Sequence, residues 1–107
     1  MELQDFIAEQ IKARPVEAKI TRKVIRALKA AGKPVSHVFD GGEMVAVRTE
    51  QDVLTQVFNL DDSYLYTEDG SWVRLIGGNE WDMICDYTLD LEEILEPVSI
   101  WIGDNED

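Results

Sequence analysis

Two residues set the range of covalent chemistry open to this chain: His37, its single histidine, and Cys85, its single cysteine. A Ser, Cys or Thr nucleophile needs a positioned base to activate it, and His37 would have to serve any such site alone. It stands between Ser36 and Val38 in a β-prone run with no obvious catalytic partner, so ordinary structural contacts are expected of it. Cys85 lies between Ile84 and Asp86 and lacks the neighbouring Lys, Arg or second Cys that lowers a thiol pKa. A buried, unreactive thiol is expected there. One residue of each type excludes an intrachain disulfide and leaves too few soft ligands for a structural zinc site.

Carboxylates are the abundant alternative. Two of them can divide general acid and base roles when burial separates their pKa values, but the adjacent pairs Asp61–Asp62, Glu68–Asp69 and Glu92–Glu93 read as solvated turn or helix positions. None carries the alternating ligands and central glycine of an EF-hand loop; Asp61 and Asp62 are the best placed of them for a divalent cation. Gly41–Gly42 and Gly77–Gly78 match neither common phosphate-binding glycine pattern and read as turns. No enzymatic activity, cofactor or metal is expected.

Charge is more informative. Twenty-two Asp and Glu against ten Lys and Arg give a net charge of −12, which repels nucleic acid and anionic membrane. The excess is uneven, because residues 1 to 34 hold eight basic and four acidic residues while residues 35 to 107 hold two and eighteen. A non-enzymatic module whose acidic surface binds a basic protein is the leading expectation. Its candidate residues are Asp61, Asp62, Glu68, Asp69, Asp82, Asp86, Glu92, Glu93 and Glu96, with Trp81 as an apolar anchor. The alternative partner is a nucleic-acid-binding host enzyme inhibited by DNA mimicry. That requires the same carboxylates, with Glu80 and Asp90, in one elongated array.

These side chains must be positioned by a single domain, since 107 residues at 45% hydrophobic and 30% charged match one soluble core. No apolar run approaches the roughly 20 residues of a membrane-spanning helix. The acidic start Met1–Asp5 differs from a secretory leader, so a cytoplasmic location is expected. Leu3, Phe6, Ile7 and Ile11 predict an amphipathic helix over 2–13. Val16, Ile20, Val24, Ala27, Leu28 and Ala31 form the apolar stripe of a second helix, whose other face carries Lys19, Arg22, Lys23, Arg26 and Lys29 and which Gly32 and Pro34 end. Val35–Phe39 and Glu43–Arg48 flank Asp40–Gly41–Gly42 as a hairpin. Thr49 is the expected N-cap of a short helix burying Val53, Leu54, Val57 and Phe58. Tyr64–Thr67, Trp72–Ile76 and Asp82–Thr88 predict a three-stranded meander. Asp90 with Glu93 suggests a capping box before a last helix, which Pro97 is expected to kink or break. Asp104–Asp107 reads as a fraying acidic tail. Together these give an α+β fold, with an antiparallel sheet made of the hairpin and the meander and with helices packed mainly on one face.

The stretch Ser71–Tyr87, with its pattern Gly78–Asn79, Asp82, Ile84 and Asp86–Tyr87 and the acidic helix after it, resembles small uncharacterised proteins encoded by phages and prophages. The resemblance covers the C-terminal third, implies a phage-associated provenance and carries no activity. A further class of function is a structural or oligomeric subunit, in which the apolar stripe of the first helix, including Leu3, Phe6 and Ile7, pairs between copies.

Overall fold

The computed structural model describes residues 2 to 106. The chain opens with α1 (Leu3–Ala13) and α2 (Pro15–Ala30). Pro15 holds the first position of α2, where its fixed φ suits a helix and its missing N–H costs nothing. At the other end Gly32 takes φ 78° and the Lys33 N–H reaches back to the Leu28 carbonyl, the left-handed stop that glycine supplies without a Cβ penalty. Then come β1 (Val35–Phe39), β2 (Met44–Ala46), α3 (Glu50–Asn59), β3 (Asp62–Thr67), β4 (Trp72–Ile76), β5 (Ile84–Tyr87) and α4 (Glu92–Asn105). Thr49 caps α3 in a reciprocal box: its hydroxyl accepts the Asp52 N–H, and the Asp52 carboxylate accepts the Thr49 N–H.

Hairpin and meander fuse into one sheet of order β2-β1-β3-β4-β5, antiparallel at every pairing. Strand alternation decides its two faces. In β3 Ser63, Leu65 and Thr67 are buried while Asp62, Tyr64 and Tyr66 are half-buried. Val38 and Val73, which pair with Leu65, share its buried face, and Leu75 opposite Ser63 does the same. Onto that face the helices pack Ile7, Ile20, Val24, Leu28, Leu54, Phe58, Leu95 and Val98. Each such aliphatic or aromatic side chain, fully buried, stabilises the fold by roughly 1.5–3 kcal/mol. The α+β architecture with helices on one face is therefore as the sequence predicts. No helix among the described residues is long and apolar enough to cross a membrane.

Four local expectations are corrected. Cys85 is exposed. The register runs Leu75 to Ile84 and then Arg74 to Asp86, so Cys85 is the extra residue of a β-bulge, and a bulge breaks the alternation that buried it on paper. The predicted strand start at Asp82 is instead a 3-10 turn, Glu80–Asp82. Asp90 does not cap α4, whose N-cap is Leu91 with no side-chain cap bond; its carboxylate is held elsewhere, by Lys33 and Ser71. Finally α4 is not broken at Pro97 but continues to Asn105, so Asp104 and Asn105 are helical and Glu106 is the C-cap; Asp107 is outside the described residues.

Candidate functional site

The helix-free face of the sheet is where this fold leaves side chains available. Tyr64 and Tyr66 on β3 stand opposite Arg74 and Trp72 on β4, and opposite Phe39 and His37 on β1. The rings touch in a chain: Phe39 lies 6.1 Å from Tyr64 and 6.5 Å from Tyr66, and Tyr64 meets Trp72 edge-on at 5.3 Å. Edge-on and tilted contacts of this kind add about 0.5–1.5 kcal/mol beyond area burial. All four rings are half-buried and keep part of their surface open to solvent. Met44 continues the face onto the edge strand β2, opposite Phe39, and is exposed.

One cation belongs to this face. The Arg74 guanidinium lies 5.3 Å from the Tyr64 ring centre and forks onto Asp62, with Nε–Oδ1 at 2.9 Å and Nη2–Oδ2 at 2.5 Å. The bond and charge of Arg74 hold the Asp62 carboxyl below its usual range, and Asp62 raises Arg74 in return. Arg74 is the only Lys or Arg in the five strands. Across from it on the edge strand stands Asp86, exposed, accepting the Tyr87 N–H at 2.8 Å and making no ion pair among the described residues. His37 is half-buried, its Nδ1 2.9 Å from the Ser36 hydroxyl.

The remaining predicted residues are distributed over the molecule. Asp61 and Asp82, with Glu80, are exposed at the end of the sheet where β3 begins and β4 ends, and the Asp40–Glu43 turn joins them there. Among the described residues no ion pair reaches Asp40, Glu43, Asp61, Glu80 or Asp82. The Asp40 carboxylate accepts the Glu43 and Gly42 N–H groups at 2.7 and 2.9 Å, which lower its pKa. Glu68 and Asp69 occupy the opposite end. There Lys33 Nζ lies 2.6 Å from Asp69 and 2.9 Å from Asp90, and the hydroxyls of Thr67 and Ser71 donate to the same two carboxylates. Bonds from Lys33 and Thr67 hold Asp69 well below the usual carboxylate range, and bonds from Ser71 and Lys33 lower Asp90 to about 2. Glu92, Glu93 and Glu96 are exposed on α4, in the helical layer. Trp81 is half-buried against the core, 5.6 Å from Trp101, whose ring in turn lies 4.5 Å from the Lys23 ammonium.

Two features escaped the sequence. The aromatic sheet face was legible only as separate β-prone runs, and the alternation of Tyr64 with Tyr66 and of Trp72 with Arg74 becomes a surface once register aligns the strands. The other is Glu17, buried to 1% exposure at the start of α2. Its Oε2 accepts the N–H groups of Gly78 and Glu80 at 2.7 and 3.0 Å, and its Oε1 lies 3.3 Å from Arg14. Arg14 also stacks on Phe58, 4.8 Å from its centre. This constellation ties α2 to the β4–β5 connection. Every atom of its carboxylate is engaged inside the protein, so it holds structure. No family model, curated protein or solved structure matches the chain.

Proposed function

We propose that this protein is a non-enzymatic module that binds a basic protein through the open face of its sheet. The observation that carries this reading is the open cluster of Phe39, Tyr64, Tyr66 and Trp72, with Asp40, Glu43, Asp61 and Asp86 near its borders making no ion pair among the described residues. Aromatic side chains supply large, rigid contact area at interfaces. Unpaired acidic groups around them raise the rate at which a positive partner is captured and disfavour neutral or negative ones. The division of carboxylates between both ends of the sheet and the helical layer also favours this reading over DNA mimicry, which needs one elongated array.

Affinity capture with the full chain, at low and high salt and with excess duplex DNA, tests the reading. A basic protein retained at low salt, released at high salt and indifferent to DNA is the expected result. Retention unchanged by salt would remove the electrostatic argument, and displacement by DNA would transfer the case to mimicry.

A further inference from the structure

The protein already contains one worked example of how its open face holds a cation. Arg74 rests on the Tyr64 ring while both arms of its fork engage Asp62. This geometry suits arginine specifically: a planar guanidinium can stack on a ring and bond a carboxylate bidentately at once, whereas a lysine ammonium can sit over a ring, as Lys23 does over Trp101, but is a compact, strongly hydrated point charge without the fork.

The same two groups recur next to it without a cation. Trp72 is two residues from Arg74 on β4, and Asp86 is directly opposite Arg74 on β5. Alternation puts Trp72 and Arg74 on one face, so Asp86 is the diagonal cross-strand neighbour of Trp72, a spacing of about 7–8 Å between backbone positions that long side chains bridge. One Asp86 oxygen accepts the Tyr87 N–H; the carboxylate is otherwise exposed. The strand carrying it is the sheet edge, so the seat opens sideways as well as upward. The bulge at Cys85 distorts that edge and blunts it against simple strand addition.

We infer that an arginine side chain of the partner seats between the Trp72 ring and the Asp86 carboxylate. This rests on the reading above and narrows it: the partner is recognised by guanidinium groups, and positive charge alone does not suffice. Stacking on Trp is the strongest of the aromatic cation contacts, and the neighbouring Arg74 side chain, neutralised by Asp62, walls the seat without repelling an incoming cation strongly.

The test compares two peptides of equal length and charge in a Gly-Ser background, one with spaced arginines and one with lysines, titrated calorimetrically into the full chain. The arginine peptide is expected to bind about tenfold more tightly, an increment of the size that a cation–aromatic contact with a partly desolvated ion pair provides. Asp86→Asn, at an exposed edge position, and Trp72→Leu are each expected to erase that preference while the lysine peptide is little affected. Equal binding of both peptides would overturn the arginine seat and leave the basic-partner reading standing. A preference that survives both substitutions would overturn the seat as placed here. Failure of both peptides to bind would also overturn it, with the capture experiment deciding the broader reading on its own. Circular dichroism of each variant guards against loss of fold, and Asp86→Asn alone suffices should Trp72→Leu unfold.

Discussion

A carboxylate at 1% exposure is costly unless its oxygens are hydrogen-bonded, and Glu17 meets that demand at both oxygens with Gly78, Glu80 and Arg14. Removing one side of a buried, hydrogen-bonded charge leaves the others unpaired. Glu17→Ala is therefore expected to cost about 3 kcal/mol or more, read as a lower urea midpoint; Glu17→Gln, which keeps acceptors in place, should lose clearly less. Equal losses for the two would mean that packing alone accounts for the residue. A different residue-scale effect belongs to Asp90, lowered to about 2 by Ser71 and Lys33. A carboxyl whose folded pKa lies below its unfolded value contributes stability that is complete above the unfolded pKa and lost as pH falls through the folded one. Thermal melting should accordingly weaken as pH drops from about 4 toward about 2. Lys33→Met should flatten that part of the profile, because it removes a shared partner of Asp90 and Asp69. An unchanged slope in Lys33→Met would show that other carboxylates govern acid unfolding.

Elements whose boundaries depend on local chemistry were legible in the sequence. Thr49 with Asp52 marked the start of α3, and Gly32 marked the end of α2, because caps and left-handed stops are read within a few residues. Elements decided by distant partners were not. Asp90 offered a capping signature, yet Lys33 and Ser71 claimed its carboxylate from across the fold, and no local pattern announces that competition. Cys85 failed for a similar reason, since a bulge is a property of two paired strands. Its exposure predicts stoichiometric labelling by a maleimide under native conditions; labelling only after denaturant is added would contradict the bulge. Pro97 tests the limits of local reasoning from the other side. The helix continues through it, although a proline in that position forfeits one backbone bond and crowds the preceding turn. Pro97→Ala should raise stability by about 1–3 kcal/mol, measured by denaturant unfolding. A neutral or destabilising effect would mean that the unfolded chain's lost rigidity outweighs the restored bond.

At the scale of the whole molecule, a net charge of −12 acts against compactness while individual ion pairs act for it, and salt weakens both. Arg26 grips Glu50 at 2.9 Å, Arg74 grips Asp62, and Lys33 holds two carboxylates, but all of these pairs are solvent-accessible on at least one side. Exposed pairs of this kind contribute about 0–1 kcal/mol each and are themselves screened. The carboxylates without an ion-pair partner among the described residues are more numerous, and five of them, Asp40, Glu43, Asp61, Glu80 and Asp82, repel one another at one end of the sheet. Self-repulsion should therefore win. Raising salt from about 0.01 to about 0.15 M, which shortens the screening length from about 30 to about 8 Å, is expected to raise the melting temperature of the free protein while weakening its capture of a basic partner. Those opposite trends share one cause: the charge that destabilises the free chain is the charge that a positive partner neutralises. A melting temperature that falls over the same range would assign the balance to the ion pairs and remove unrelieved carboxylate repulsion as a driving force for binding.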